Sequence, residues 1–220
     1  VLKWMFILEK WLYRSATHIV TVGNGYKKVL VEKGVPPEKI SIITNGADLK
    51  QFLPAKVAKK GDSKFICSFI GTLGMAAGLE IVIRAAQYLD SIDESDIVFN
   101  LVGDGADYEN LLKKVSDLNI RRIQFTGLVK KENISDYLEE SDVCLIHLIK
   151  SDLFKTVIPS KLFEAMASEV PVVMGVQGEA AAIVKAAQCG LSFTPENHWE
   201  LCDLLIQLNN DPILRASMGK

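Results

Sequence analysis

The sequence predicts an α/β fold built on a doubly wound parallel sheet. From about residue 64 onward, short apolar runs rich in β-branched residues recur, which is typical of strands buried on both faces of a sheet. Between these runs, apolar residues recur with the 3.6-residue period of helices. Strand–helix alternation with short connections favours right-handed βαβ units. A composition of 49% hydrophobic and 24% charged residues suits a globular protein.

The first part of the chain follows a different pattern. Residues 1–14 form an amphipathic helical segment, and the polar stretch Lys56–Ser63 is typical of a linker. Gly34 is a favourable residue just after a helix, and Asn45–Gly46 signals a turn. We therefore predict a strand over His18–Val22, a helix from about Asn24 to Lys33 and a strand over Ile40–Thr44.

The rest of the chain carries the strands of the predicted main sheet. They are expected at Phe65–Ile70, Ile97–Val102, Ile123–Thr126, Val143–His147, Val170–Met174 and Leu191–Phe193. Helical periodicity between them is clear where Leu79, Val82, Ile83, Ala86 and Leu89 share one face, as do Tyr108, Leu111, Leu112, Val115 and Leu118. Near the end of the chain, Asp211 followed by Pro212 predicts the start of a last helix.

Charge and composition exclude several classes of protein. Lys and Arg number 25 and Asp and Glu number 27, so the net charge of −2 argues against a dedicated nucleic-acid binder. No apolar stretch approaches the ~20 residues that cross a bilayer, and no signal peptide is recognised, so we expect a cytoplasmic location. The four cysteines lie outside C-x-x-C pairs and are expected to be buried thiols. The three scattered histidines predict no zinc site.

Glycine-rich segments follow the first two predicted strands of the main sheet. Ligands of open parallel sheets bind at the carboxyl ends of the strands, so these loops are candidate binding sites. Gly71, Gly74 and Gly78 would let a phosphate or sugar approach the backbone, although a tight strand-to-helix turn explains them equally well. Gly103–Asp104–Gly105 is either a ligand contact or a turn with Asp as helix N-cap. Because residue 108 is Tyr, the dinucleotide fingerprint G-x-G-x-x-G is incomplete.

The segment Lys155–Met166 carries the most informative pattern. We expect Pro159 in the first turn of a helix whose unpaired N–H groups, from Ser160 onward, face the carboxyl edge of the sheet and suit a diphosphate. Lys161 adds a full positive charge in that turn. Glu164 lies on the same helical face and could accept hydrogen bonds from both hydroxyls of a ribose. A solvated surface pair of Lys161 and Glu164 is the alternative.

A further glycine-containing loop follows the predicted strand Val170–Met174. Gly178 and Glu179 open a helix there. The Glu179 carboxylate either complements the helix dipole or accepts a hydroxyl of a bound sugar, with nearby N–H groups facing the phosphates.

Taken together, the ordered segments resemble the carboxyl-terminal, nucleotide-binding half of a GT-B glycosyltransferase of glycosyltransferase family 4. Each segment by itself is modest, but their order and spacing over most of the 220 residues is specific. The segments are SATHIVTVGNGYKKVLVEKGVPPEKISIITNGADLKQFLP, FIGTLGMAAGLEIVIRAAQYL, LVGDGADYENL, IQFTGLVKKENISDYLEESDVCLIH, PSKLFEAMASEVPVV and GEAAAIV. The strings KTVIPSK and GTLGMAAGLE resemble the branch that transfers fucosamine-like sugars.

The resemblance implies two parts and several partners. Residues 1–60 would form the tail of an amino-terminal acceptor domain, the crossing between domains and a linker, and residues 61–220 a Rossmann-like nucleotide-sugar-binding domain. Because the rest of the acceptor domain would be missing, these residues alone are expected to be inactive. The implied partners are a nucleotide-sugar donor, that acceptor domain and a polysaccharide or lipid-linked acceptor. The implied location includes the inner face of a membrane.

The resemblance also implies roles for individual residues. Gly71–Thr72 would line the diphosphate, and the backbone of Gly127–Leu128–Val129 would bind uracil or another base. Glu164 would hold the ribose. Gly178–Glu179 would face the donor sugar and phosphate.

Three positions depart from the family pattern. Thr72 and Ala77 stand where the family usually has an Arg and a Lys, and Thr156 stands where it has the first acid of a pair. Two phosphate-binding cations and one sugar-binding acid are therefore absent. Either Lys155 or Lys161 would compensate as the catalytic cation, or the donor would be held differently.

The implied reaction is transfer of a sugar from a nucleotide diphosphate sugar such as a UDP-sugar, with retention of configuration and without a metal or other cofactor. The departing phosphate would take the proton of the acceptor. Two alternatives stay open. The neutral residues Thr72, Ala77 and Thr156 leave room for a non-catalytic nucleotide-binding or assembly module. The incomplete fingerprint weighs against a NAD-dependent sugar-nucleotide oxidoreductase or epimerase.

The amphipathic segment at the start of the sequence has two interpretations. Its apolar side carries Trp4, Ile7, Leu8 and Trp11, whereas Lys3, Lys10 and Arg14 lie elsewhere. It is either a membrane-surface helix that serves a lipid-linked acceptor or an interdomain helix whose partner lies outside these residues.

Overall fold

The computed structural model describes residues 2–54, 64–94 and 96–220 and has a six-stranded parallel sheet at its centre. The strands of this main sheet are β3 (Phe65–Ile70), β4 (Ile97–Val102), β5 (Ile123–Gly127), β6 (Val143–His147), β7 (Val172–Gly175) and β8 (Gly190–Ser192). They pair in the order β5-β4-β3-β6-β7-β8. The chain moves outward from β3 in one direction, returns to β6 beside β3 and continues in the other direction, which confirms the predicted doubly wound sheet.

Helices cover both faces of the main sheet. They are α3 (Glu80–Ser91), α4 (Tyr108–Asp117), α5 (Ile134–Glu140), α6 (Lys161–Ala167), α7 (Glu179–Ala187), α8 (His198–Asn210) and α9 (Pro212–Gly219). The predicted start of the last helix is confirmed, because the Asp211 carboxylate accepts a hydrogen bond from the N–H of Leu214 at 2.8 Å.

The apolar core lies in two layers, one on each face of the main sheet. Along β3, Cys67 and Phe69 belong to one layer and Ile70 to the other, because successive side chains of a strand point to opposite faces. Helices α3, α4 and α8 cover the first layer, and α5, α6 and α7 cover the second. Burial on both faces explains the continuous apolar runs of the sequence. All four cysteines are buried, as predicted.

A smaller unit precedes the main sheet. It consists of α1 (Leu2–Ser15), β1 (Ile19–Thr21), α2 (Asn24–Glu32) and β2 (Ile40–Ile42). The two strands pair in parallel, and Leu30, Val35 and Ile40 form a small core. The predicted elements of this region are confirmed, with shorter strands than the sequence indicated.

The segment after β2 packs against the main sheet. Phe52 is 2% exposed and belongs to the layer that α5, α6 and α7 cover. The side-chain amide of Asn45 donates to the carbonyl of Ile158 at 3.2 Å, and that of Gln51 donates to the carbonyl of Lys131 at 2.5 Å. Residues 45–54 are thus attached to the larger unit. The predicted linker over 56–63 lies outside the described residues.

Several predicted boundaries shift for identifiable reasons. β7 begins at Val172 rather than at residue 170, because Pro171 has no N–H to donate to a strand ladder. β8 begins one residue early at Gly190, where a Cβ atom would lie 2.0 Å from the carbonyl oxygen of Val172. The helix expected to include Pro159 begins instead at Lys161, so the proline lies just before it.

The surface of α1 is unusually apolar. Among the described residues, no helix combines the length and the apolarity that crossing a bilayer requires. Several large apolar residues of α1 face solvent, and Trp4 is 76% exposed. The other exposed large apolar residues of this helix are Met5, Phe6, Ile7, Leu8, Trp11 and Leu12.

Candidate functional site

The candidate site lies at the carboxyl edge of the main sheet, beside β3 and β6. At this point the strand order reverses direction, and ligands of doubly wound folds bind in the crevice that such a reversal creates. The loops after β3, β4 and β5 reach this edge, as does the long connection from β6 to α6. These loops carry most of the sequence-predicted site residues.

Backbone hydrogen bonds draw the three glycine loops together. The N–H of Gly71 donates to the carbonyl of Val102 at 2.8 Å, and the N–H of Gly103 donates to the carbonyl of Gly127 at 3.1 Å. Gly103 has φ +131°, and a Cβ atom there would lie 2.0 Å from the carbonyl oxygen of Gly71. Because only glycine permits this approach, Gly103 determines the shape of the crevice.

A cavity of about 160 Å³ opens between these loops. Its lining consists of Ile70, Gly71, Thr72, Val102, Gly103, Asp104, Leu128, Val129 and Ile134. Five predicted residues from three separate loops thus meet in one cavity. Gly74 instead precedes the 3-10 turn Met75–Ala77.

Asp104 joins two of the loops, a role that sequence reasoning did not assign to it. Its carbonyl accepts the N–H of Leu73 at 2.9 Å, and its carboxylate accepts the N–H of Gly105 at 2.7 Å. The N-cap of α4 is Asp107, so the prediction of Asp104 as a helix N-cap is wrong.

Lys161 places its ammonium group at the end of β3. Its Nζ atom lies 3.8 Å from the centroid of the Phe69 ring, and a Cβ atom on Gly71 would lie 2.8 Å from Nζ. An aromatic face is a favourable neighbour for a cation. Burial lowers the pKa of Lys161 to about 8, while Cys144 and Glu164 raise it. The side chain thus lies against Gly71, which lines the cavity, and is not the solvated surface group of the alternative prediction.

Glu164 follows Lys161 on α6 and is partly buried. Burial raises the pKa of its carboxyl group, whereas the positive charges of Lys161 and Lys131 lower it. Lys131 begins the 3-10 turn after the loop that ends at Val129, and sequence reasoning missed it. The signal was the pair of lysines that directly follows Val129.

Two other predicted residues of this segment have different surroundings. Ser160 is the N-cap residue of α6, which is only seven residues long. The ammonium of Lys155 lies 2.7 Å from a carboxylate oxygen of Asp152, and the Lys155 side chain is 51% exposed. The structure therefore places Lys161 against the glycine loops and pairs Lys155 with a surface carboxylate.

Glu179 already binds protein groups through both of its carboxylate oxygens. One oxygen accepts the N–H of Asn24 and the other that of Gly25, each at 2.8 Å. Gly178, with φ +82°, lies so close to the carbonyl of Lys155 that a Cβ atom would be 2.1 Å from its oxygen. The sequence did not indicate these contacts. A contact of Glu179 with a donor sugar stays a prediction.

Two of the three neutral residues that depart from the family pattern, Thr156 and Ala77, have hydrogen-bond partners in the structure. The Thr156 hydroxyl donates to the carbonyl of Leu153 at 3.0 Å. The carbonyl of buried Ala77 lies 2.7 Å from Nδ1 of His147. Nε2 of His147 accepts the N–H of Glu196 at 3.0 Å, so Nδ1 carries the proton and donates to Ala77. Burial lowers the pKa of His147, which favours this neutral form.

Within the described ranges, no group of three or more His, Cys, Asp or Glu side chains is arranged to hold a metal ion. Independence of a metal or other cofactor stays a prediction.

Comparison with known protein families divides the chain at about residue 50. Residues 50–220 match the family described as glycosyl transferases group 1, and residues 1–51 match glycosyltransferase family 4. The probable glycosyltransferase WbjE of Pseudomonas aeruginosa is 24% identical over 91% of this chain and 52% of its own length. A UDP-Gal:alpha-D-GlcNAc-diphosphoundecaprenol alpha-1,3-galactosyltransferase of Escherichia coli is 26% identical over 97% of this chain and 56% of its own. The chain thus spans about half the length of these relatives.

Similar solved structures share the fold. Anabaena Alr3699/HepE in complex with UDP and glucose has a TM-score of 0.77 at 21% identity, covering 94% of this chain and 57% of that one. The C-terminal domain of LpcC, a glycosyl transferase group 1 family protein of Francisella tularensis, has a TM-score of 0.64 at 22% identity, covering 80% of this chain and 93% of that one. Because the group 1 family matches most of the chain, the protein belongs to the group 1 glycosyltransferases and contains the carboxyl-terminal domain of a GT-B glycosyltransferase.

Proposed function

We propose that this chain is the donor-binding half of a retaining glycosyltransferase that takes its sugar from a UDP-sugar. The observation that carries the proposal is the ammonium group of Lys161 beside Gly71, at the crevice where three glycine loops meet. A cation next to accessible backbone is the chemistry that a diphosphate requires. The similar structure of Anabaena HepE is a complex with UDP, which supports the choice of nucleotide.

Each part of the donor has a proposed partner at the carboxyl edge. The diphosphate lies against Gly71–Thr72 and Lys161. The ribose hydroxyls donate to the Glu164 carboxylate, and the backbone of Gly127–Val129 binds the base. The cavity between these loops and the charges around Glu164 support this arrangement.

In the proposed chemical step, the bond between the anomeric carbon and the diphosphate oxygen breaks, and its electron pair leaves with the diphosphate. The acceptor oxygen forms its bond to carbon on the same face of the sugar, and its proton passes to the departing phosphate. Lys161 stabilises the negative charge that develops on the diphosphate. Because such a group is oriented before the reaction begins, removing it typically costs about 10²–10³-fold in kcat.

The proposal for the whole protein includes an acceptor domain beyond these 220 residues, which covers the apolar surface of α1. The double length of the relatives supports it. The name of the Escherichia coli relative supports a lipid-linked acceptor, and with it a position at the cytoplasmic face of a membrane. Without the acceptor domain, these residues bind the nucleotide but do not transfer sugar.

Glu164→Gln tests the donor assignment in the full-length protein. We expect calorimetric titration of the wild type to show binding of UDP and weaker binding of 2′-deoxy-UDP, which lacks one ribose hydroxyl. The variant should bind UDP about 10-fold more weakly, because hydrogen bonds to a charged group are worth about 1.5–3 kcal/mol. It should also distinguish less between the two nucleotides. Glu109→Gln, an exposed residue of α4, is the matched control.

Other results would change the assignment. Tighter binding of NAD than of UDP by the wild type would contradict a UDP-sugar donor. Nucleotide binding without turnover of any sugar nucleotide would favour the non-catalytic module, which the neutral residues Thr72, Ala77 and Thr156 leave open.

A further inference from the structure

We propose that Glu179 is a positioning residue that fixes the amino terminus of α2 against the carboxyl edge of the main sheet. Its two carboxylate oxygens accept the N–H groups of Asn24 and Gly25, both at 2.8 Å, across 155 and 154 residues of sequence. The side-chain amide of Asn24 lies 3.4 Å from the same carboxylate. The contact joins the smaller unit to the first residue of α7.

The Glu179 carboxylate complements the start of α2 both in charge and in hydrogen bonding. The first N–H groups of a helix have no partner within the helix and carry a partial positive charge. The N-cap residue of α2 is Gly23, which has no side chain to bind them. A carboxylate from another element supplies both acceptors and a full negative charge. Bidentate hydrogen bonds to an ionised group are among the stronger contacts in proteins.

Two glycines at the start of α2, the N-cap Gly23 and Gly25, allow this close approach. A Cβ atom on Gly23 would lie 2.7 Å from Oε2 of Glu179 and 2.8 Å from Cδ1 of Ile158. A Cβ atom on Gly25 would lie 2.9 Å from both Cβ and Cγ2 of Thr156. The backbone of Gly23 is extended, so close packing, and not a special φ angle, explains the glycine.

The contact acts on the segment that leads to Lys161. Thr156 and Ile158, which pack against α2, precede Lys161 by five and three residues. The carbonyl of Ile158 also accepts the hydrogen bond from Asn45 at 3.2 Å. Under the proposed function, on which this inference rests, α2 belongs to the acceptor half. Glu179 would then align that half with the donor site, and small misplacements of reacting groups cost large factors in rate.

The test compares Glu179→Gln with the wild type in the full-length protein. A neutral amide offers one acceptor and turns a donor toward the α2 amides. We expect the exchange of the Asn24 and Gly25 amide hydrogens to become about 10-fold faster or more. The distance distribution between spin labels at Lys28→Cys on α2 and Lys185→Cys on α7, both exposed, should broaden. The Kd for UDP should stay within about twofold, because both carboxylate oxygens of Glu179 are bound by α2 and the diphosphate, ribose and base are assigned above to other residues. Glu32→Gln, at the exposed end of α2, should change none of these quantities.

Gly25→Ala provides a second variant that keeps the carboxylate. Alanine favours helix, so α2 itself should not be destabilised, but the added methyl group would crowd Thr156 and separate the two surfaces. We expect the same faster exchange and broader distances, which decides the matter if Glu179→Gln does not fold. A role confined to local stability would speed the exchange of these two amides but leave the distances between α2 and α7 unchanged, so the distance measurement distinguishes positioning from local stabilisation.

Two outcomes would overturn the inference. The first is wild-type distances in Glu179→Gln or in Gly25→Ala, with or without faster exchange. The second is a loss of UDP affinity in Glu179→Gln as large as in Lys161→Ala, which would assign Glu179 to the donor. Failure of the wild type to bind UDP would defeat the proposed function instead, whereas the exchange and distance measurements do not depend on UDP.

Discussion

At the scale of single residues, Lys161 has the position and the charge that the proposed diphosphate site requires. Its ammonium group lies over Phe69 and beside the backbone of Gly71. Burial of this ammonium group lowers the pKa of Lys161 to about 8. The charged form therefore predominates at neutral pH and is lost as the pH rises through 8. A bound diphosphate favours the charged form, so binding and protonation are linked.

UDP affinity should fall as the pH rises from 7 to 9. The phosphates of UDP are already ionised over this range, since their last pKa is about 6, so the change reports on the protein. With a pKa of about 8 for Lys161, the protonated fraction falls from about 0.9 to about 0.1, roughly a tenfold loss of affinity. Calorimetric titration over this pH range measures it.

Two variants complete this experiment. Lys161→Ala should bind UDP about 10-fold more weakly at pH 7 and show a flat profile between pH 7 and 9. Lys113→Ala, an exposed residue of α4, should retain both the wild-type affinity and the wild-type profile. A wild-type pH profile in Lys161→Ala would show that another group is responsible.

At the scale of elements, three βα loops form one crevice because their backbones contact one another. The glycine of one loop makes room for the carbonyl of the next, as at Gly103 and Gly71. In the sequence, Gly103 could be explained as a local turn signal. In the structure, glycine is required there because the neighbouring loop lies too close for a side chain. The neutral imidazole of His147 acts similarly, since it joins the end of β6 to the loops at Ala77 and Glu196.

Gly103→Ala should both destabilise the fold and change the shape of the crevice. The added Cβ atom would lie 2.0 Å from the carbonyl oxygen of Gly71, at a φ of +131° that alanine rarely adopts. We expect the free energy of unfolding in denaturant to fall by about 3 kcal/mol. The control is Gly46→Ala, where a Cβ atom would lie more than 4 Å from the other atoms of the described residues, its two chain neighbours aside. Equal stability of the two variants would contradict this account of the loop contacts.

At the scale of the whole molecule, the two units meet on the carboxyl edge of the main sheet. The segment 45–54 attaches to the larger unit through Phe52, which is buried in its core. The start of α2 reaches the same edge through Glu179. The proposed donor site and the contacts between the units therefore share the loops that precede α6 and α7.

Phe52→Ala should loosen the crossing between the units. Truncating a fully buried phenylalanine leaves a cavity, so we expect the free energy of unfolding to fall by about 4 kcal/mol in denaturant titration. The adjacent Leu53 is 50% exposed, and Leu53→Ala should cost less than about 1 kcal/mol. If both variants lost similar amounts of unfolding free energy, Phe52 would not be the residue that attaches this segment to the larger unit.

The strands and helices could be predicted because hydrophobic periodicity is a local property. The runs at β3, β4 and β6 were predicted to the residue, whereas β7 and β8 shifted where Pro171 and Gly190 interrupt or extend the pairing. The candidate site could be predicted in part, since parallel strands bring their carboxyl ends to one edge. The charge of Lys131 near Glu164 and the contact by which Asp104 joins two loops could not be predicted, because both depend on groups from other loops.

By itself, the sequence determined the α/β class, the order of the elements and the resemblance to the glycosyltransferase family. Periodicity, helix caps and glycine spacing act over a few residues, and all of them can be recognised without coordinates. Only the tertiary structure decided that Lys161, and not Lys155, lies beside Gly71, and that the Glu179 carboxylate binds α2. These contacts join segments far apart in the chain, and only the packed sheet determines which side chains meet at its edge.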